Sequence, residues 1–198
     1  MPFPTLVLAW ALLALFSIAE TRAQDSLSLP AVVKRTMEFH FREGRAHSKS
    51  LDEFVRRLPV PQYLRLRAGV FVTLSRDGKA RACWGSVLPE HPDLVKSTAY
   101  ATVAALTREY RYPPIKRSEW RALKPQVTVV RSLEPIDGLS GQNPLRDGLM
   151  VRSGGKAGVL LPGEARDAHY QLIACKLKAG IGAGERCQLY RIKADIYD

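Results

Sequence analysis

At 198 residues the chain has the length of one domain, large enough to bury its apolar side chains without metal or disulfide staples. Lysine and arginine outnumber aspartate and glutamate by 30 to 19, giving a formal net charge of +11. The four histidines, His40, His47, His91 and His169, are scattered. With no Cys-x-x-Cys, His-x-His or Glu-x-x-His spacing, the composition argues against a structural or catalytic metal.

Residues 1–23 do not read as part of the domain. Leu6 to Ile18 is an uncharged apolar run, followed by the small-residue triplets Ser17-Ile18-Ala19 and Thr21-Arg22-Ala23, either of which suits a processing site. The run is short for a bilayer span, so a cleaved secretory leader is expected, or an uncleaved N-terminal anchor. Either implies an exported location, periplasmic or secreted. Glu20 and Arg22 cancel, so the excess base belongs to the domain that follows. An exported basic protein meets anionic membrane surfaces or acidic partners, and the leader argues against nucleic acid as the partner. The basic residues are dispersed among Arg56-Arg57, Arg65, Arg67, Arg76 to Arg81 and Lys116-Arg117, a distribution that also serves solubility alone.

Residues 24–68 read as a helical segment and connector continuous with the main domain. Pro30 can open a helix carrying Val32, Val33, Met37 and Phe41 at helical spacing, with Gly44 as its stop. This helix is expected on the domain surface or as a lid. Leu51 to Leu58 suits a second short helix, and Pro59 and Pro61 impose an extended connector. From Gly69 to the C-terminus the pattern becomes that of the principal domain, 69–198. Gly69 to Leu74 reads as a strand, joined through Arg76-Asp77-Gly78 to a second strand, Lys79 to Trp84.

Asp93 can cap a helix to about Tyr110, with Leu94, Val95, Ala99, Val103, Leu106 and Tyr110 on one face. Arg111-Tyr112-Pro113-Pro114 cannot continue it. Gln126 to Leu133 is a β-branched strand, and Asp137 to Arg146 a loop rich in turn residues. Gly148 to Ser153 and Lys156 to Leu161 flank Gly154-Gly155 as a second hairpin. Ala165 to Ala179 suits a helix and Cys187 to Tyr197 a closing strand. Strands paired as hairpins, with helices that do not alternate with them, predict an α+β fold with a largely antiparallel sheet and flanking helices. No repeat, heptad or low-complexity tract is present.

Three cysteines make an odd count, so an oxidising compartment leaves at least one unpaired within the chain. Cys175 with Cys187 is the expected pair if any bridge forms. The site-like segment is Arg81-Ala82-Cys83-Trp84-Gly85-Ser86, and its meaning depends on hairpin register, because a one-residue slip exchanges the two faces of a strand. A two-residue Asp77-Gly78 loop pairs Val72 with Cys83 and Leu74 with Arg81, which sorts polar from apolar poorly. A three-residue Arg76-Asp77-Gly78 loop with a bulge sets Val70, Val72 and Leu74 against Trp84, Ala82 and Ala80, and is favoured. Cys83 then shares a face with Arg81, whose guanidinium would favour the thiolate, while Gly85 would let a ligand or another backbone approach. The competing reading is a small buried hydrophobe. No base for catalysis stands nearby in sequence: His91 and His169 are the only candidates to approach in space.

The same residues resemble the AMMECR family, whose hallmark is a strand ending in an Arg-Gly-Cys-Ile-Gly run, here Arg81-Ala82-Cys83-Trp84-Gly85. Gly69 to Leu74 is similar to that family's preceding strand, Arg111-Tyr112-Pro113-Pro114 to its Pro-Arg-Phe-Pro-Pro turn, and Asp147-Gly148-Leu149 through Leu160-Leu161-Pro162 to its later hairpin. Ala82 and Trp84 depart from the hallmark, and Gly163 to Gln171 lacks the family's Gln-Val-Ala and Trp-Asp residues. The resemblance implies an α+β fold and a pocket near Cys83. Microbial members stand beside a Memo-like protein and a radical SAM enzyme, a cytosolic partnership against which the leader argues. No cofactor is implied.

Two functions follow as expectations. The first is a binding or accessory module holding an anionic small molecule or an acidic protein partner through Arg81, Arg111 and the Gly85-Ser86 backbone. The second is a thiol-dependent enzyme or redox protein with Cys83 as its catalytic nucleophile.

Overall fold

The computed structural model describes residues 27–44 and 47–198, so the predicted leader lies outside the described residues. Leu29–Arg42 forms α1, with Ser28 as its N-cap and Pro30 in the first turn. Ser48–Arg56 forms α2, and one 3₁₀ turn at Gln62–Arg65 leads into the sheet. Strands β1 (Gly69–Arg76) and β2 (Lys79–Ser86) make the first hairpin. Leu94–Thr107 forms α3, opened by the Asp93 carboxylate accepting the Lys96 N–H at 2.8 Å. Then come β3 (Lys124–Ile136), β4 (Asp147–Ser153), β5 (Lys156–Leu160), α4 (Ala168–Ala179) and β6 (Gln188–Tyr197).

All six strands join one sheet in the order β2-β1-β3-β6-β4-β5, and every pairing is antiparallel, as the hairpin pattern predicts. The two sequence-local hairpins therefore occupy opposite ends of the sheet, with β2 and β5 as its edges. Between them β3 and β6 form the spine. Among the described residues no helix is long and apolar enough to cross a membrane.

Alternation along β1 divides the core. Val70, Val72 and Leu74 face α1, α2 and α3 in the main apolar cluster, whereas Phe71 faces a second layer with Val130, Met150, Leu161 and Ile192. The α1 helix is not the surface element or lid that its terminal position suggests. Leu29, Val32, Val33 and Met37 are sealed in the main cluster because α1 packs along α3, and Val32 and Val33 interrupt any outward stripe. A third cluster joins β4, β5 and α4 through Leu149, Val151, Leu160 and Cys175. That helix lies close on β5: a Cβ at Gly158 would sit 2.2 Å from the Cys175 carbonyl oxygen, so glycine is what permits the contact.

The first hairpin corrects the register expectation. Asp77 (φ 51°) and Gly78 (φ 74°) are both left-handed, the signature of a two-residue type I′ turn, rather than the three-residue loop. The bulge is displaced into β2: Ser75 pairs with Ala80, Leu74 with Ala82, and Arg81 is the extra residue between them. Beyond it Thr73 faces Cys83 and Val72 faces Trp84. The insertion restores the apolar face that an unbulged two-residue hairpin would scramble.

Candidate functional site

Sheet curvature brings the two edge strands toward one another across a slot of about 220 Å³, lined by Cys83 and Gly85 from β2 and by Ala157 and Gly158 from β5. Phe71 forms part of the lining, and Glu109, Arg111, Glu164 and Lys178 supply its charges. The helix predicted to reach Tyr110 ends at Thr107, with Arg108 as its C-cap. This early stop frees Glu109-Tyr110-Arg111 to cross the mouth of the slot.

Glu109 organises that crossing. Its carboxylate accepts the Cys83 backbone N–H at 3.0 Å and the Arg111 backbone N–H at 3.0 Å. It also takes two guanidinium bonds from Arg111, Nε at 2.9 Å and Nη2 at 2.6 Å. Burial raises the Glu109 pKa, but these donors outweigh it and hold the carboxyl at about 2. The same pairing pushes the Arg111 pKa up against the opposing effect of burial. A bidentate fork on a carboxylate is among the stronger polar contacts available to a protein.

Cys83 stands on the face shared with Phe71 and Thr73, the face expected, but that face is not polar. The side chain packs against the Phe71, Val130 and Leu161 layer, and its sulfur accepts the Thr73 hydroxyl at 3.4 Å. Burial raises the thiol pKa, the Thr73 contact opposes it, Glu164 adds to it, and Lys178 and Arg111 oppose it again; the sum is upward. The expected thiolate-favouring Arg81 is elsewhere. As the bulged residue, Arg81 sends Nη2 to the Pro113 carbonyl at 2.8 Å and to Glu119 Oε1 at 2.9 Å. The guanidinium that shares the slot with the thiol is Arg111, which no short-range pattern around Cys83 reveals.

The remaining predicted residues divide between two sites. Gly85 touches the slot, yet its missing side chain serves neighbouring β1: a Cβ there would lie 2.1 Å from the Val70 carbonyl oxygen and 2.5 Å from Phe71 Cα. Ser86 points to the helical side, where its hydroxyl accepts the Leu88 N–H at 3.1 Å. Cys83 and Arg111 are thus brought together, while Arg81 and Ser86 are not brought to them. His91 stands on the helical side against Tyr100, ring centroids 4.2 Å apart, and no histidine lines the slot. Cys175 and Cys187 are both free thiols; the Cys175 Sγ donates to the Leu149 carbonyl, and burial pushes its pKa up to about 12. No cluster of metal-ligating side chains occurs among the described residues.

Glu109, Glu164 and Lys178 join the site only through the fold. Lys178 is in the last turn of α4 and approaches only because that helix packs on β5; it donates to the Val159 carbonyl at 3.0 Å and lies 3.6 Å from Glu164. A carboxylate two residues before Arg111 was the one available signal for Glu109.

The fold and slot define a class: a small α+β module whose curled antiparallel sheet holds a half-buried cysteine between its edges, secured by an arginine–glutamate fork. The AMMECR1 family model matches residues 23–198, and the chain belongs to the AMMECR1 family. Relatives include a protein of Thermotoga maritima, 36% identical over 143 residues covering 70% of this chain and 82% of the relative. Another, from Methanothermobacter thermautotrophicus, is 32% identical over 189 residues, covering 87% of this chain and 93% of the relative. The crystal structure of an uncharacterised Pyrococcus horikoshii protein superposes with a TM-score of 0.72 at 28% identity, covering 85% of this chain and 88% of that one. Membership fixes the fold and carries no assigned biochemical activity.

Proposed function

We propose that the protein is a non-catalytic binding module whose partner is an acidic protein segment docked at the mouth of the Cys83 slot. The observation that carries this reading is a surface of alternating cations and phenols. The Arg81 and Arg111 guanidiniums each lie 5.9 Å from the centre of the Tyr112 ring, and Tyr110 beside them is 82% exposed. Arginine and tyrosine, with tryptophan, are the side chains enriched among those that carry binding energy at protein interfaces, and both present planar groups that stack.

The occupant is argued from charge. Arg81 and Arg111 are each already paired with a glutamate, so a small isolated anion would compete with two fixed carboxylates at this mouth. An extended acidic segment draws in addition on the dispersed excess of base, exposed Lys79, Lys116 and Arg117 included. The thiol-enzyme alternative draws no comparable support: burial keeps the Cys83 proton on, and no histidine lines the slot to remove it.

Titration with a glutamate-rich peptide tests the proposal. Tyr110→Ala, which removes an exposed ring, and Arg81→Gln should each weaken binding about tenfold with Tm nearly unchanged for the tyrosine variant, and affinity should fall steeply with added salt. Binding unaffected by either substitution would exclude this surface.

A further inference from the structure

On the opposite face of β2 lies a second and much larger cavity, about 930 Å³, walled by α2, α3, the Trp84-Gly85-Ser86 end of β2 and the loop through His91. Its existence follows from the side chains that α3 presents to it. Ser97, Ala101 and Ala104 recur at helical spacing on the face toward β2, and each is too small to reach the opposite wall. The volume lies at the upper end of the range of about 300–1,000 Å³ typical of small-molecule sites.

One group in this cavity lacks what buried polar groups almost always have. Ser97 is 6% exposed, it lines the cavity, and its hydroxyl has no hydrogen-bond partner among the described residues. Several polar groups in and beside its walls are engaged. The Tyr100 hydroxyl donates to Asp52 at 2.9 Å, Asp52 is paired with Lys96 at 2.8 Å, and Ser86 caps the Leu88 N–H. Ser97 is the buried hydroxyl in this lining left to orient an occupant.

The chemistry of the walls limits what that occupant can be. Among the described residues Glu90 and Arg108 are the formally charged side chains in the lining, one of each sign, beside His40, His47 and His91; burial and the nearby Lys96 lower the His91 pKa. The described lining carries no excess of either sign. Aromatic faces are present instead: Trp84, Tyr100 and His91, the last two tilted by 40° with centroids 4.2 Å apart. Such planes favour offset or edge contact with another flat ring.

The geometry points to this cavity as a binding site for an uncharged heteroaromatic small molecule, its ring between Trp84 and the His91–Tyr100 pair and its heteroatom bonded to the Ser97 hydroxyl. The site is independent of the partner surface, although Trp84 and Gly85 line both cavities and form the wall between them.

Three bicyclic or monocyclic probes on the full chain separate the outcomes: quinoxaline, flat and neutral; 2-naphthoate, of similar size but anionic; and cyclohexanol, neutral but not aromatic. Heteronuclear NMR titration should show saturable quinoxaline binding with shifts at Ser97, Ala101 and the Trp84 indole, and about tenfold weaker binding of the other two. Ser97→Ala should raise the Tm of the free protein, because an unpaired buried hydroxyl is removed, and weaken quinoxaline binding about threefold or more. Ala104→Phe should abolish binding by filling the space. Absence of saturable quinoxaline shifts, equal binding by 2-naphthoate, undiminished binding by Ser97→Ala, or shifts centred on Cys83 and Arg111 would each overturn the assignment.

Discussion

The carboxylate of Glu109 accepts the backbone N–H of Cys83 at 3.0 Å, across a separation of 26 residues. This single contact ties the loop after α3 to the edge strand that carries the cysteine, and Arg111 closes over it. Cys83 is thereby fixed by its backbone, with its sulfur left to pack among apolar neighbours.

Glu109→Gln should destabilise the protein by about 2 kcal/mol at neutral pH, because it removes the charge from one side of a largely buried pair while Arg111 keeps solvent access for part of its side chain. The Glu109 pKa of about 2 lies below its ordinary value of 4.5, so its contribution is complete above pH 4.5 and is lost as pH falls toward 2. Asp147 and Glu119, whose pKa values are also lowered, act in the same direction. Urea titrations of both proteins should show a gap that closes on acidification; a gap independent of pH would place the stabilisation elsewhere.

Cys83 should alkylate more slowly than a free thiol at neutral pH, and its rate should climb only at pH values above the ordinary thiol range. Cys175, with no exposed surface, should resist labelling in the native state, leaving half-buried Cys187 as the faster of the C-terminal pair. Mass spectrometry of a timed iodoacetamide reaction resolves the three. Fast labelling confined to Cys83 would restore the nucleophile reading.

Two glycines in one hairpin should answer very differently to alanine. At Gly85 the new methyl group meets the β1 backbone at 2.1 Å, so β1 and β2 must separate, and a loss of about 3 kcal/mol or more is expected. At Gly78 nothing lies within 4 Å, and the cost is confined to the left-handed φ of 74°, about 1 kcal/mol. Comparable Tm changes for the two variants would mean that β1 and β2 are not as closely joined as described.

Much of the secondary structure was legible because its punctuation is local. Asp77-Gly78 and Gly154-Gly155 mark both hairpin turns, Asp93 caps the helix it precedes, and Pro113-Pro114 forbids continuation of α3; the Asp167 cap, which starts α4 at Ala168 rather than Ala165, was not read. Register was legible only in outcome. The demand that Val70, Val72 and Leu74 share a face is written in alternation, but a bulge at the turn and a bulge at Arg81 satisfy it equally, and the choice rests on where Arg81 finds Glu119, 38 residues away. The polar reading of the Cys83 face failed for a related reason: alternation says which residues are on a face, not that a second apolar layer from β3, β4 and β6 will cover it. Lys178 and Glu164 reach the slot through tertiary packing, and the orphan hydroxyl of Ser97 is invisible in a helix whose pattern shows only which face is apolar.

The six-stranded sheet is open, and β2 is one of its two edges. Its open rim at β2 offers donors and acceptors that any stray extended chain could match, and such rims are where soluble proteins begin to assemble into fibres. Glu109 occupies the Cys83 donor, and the Arg81 bulge interrupts the template before it. The same carboxylate that steadies the cleft therefore also serves as a stopper against intermolecular strand pairing, so prolonged acid treatment should expose a sticky edge before the helices have melted.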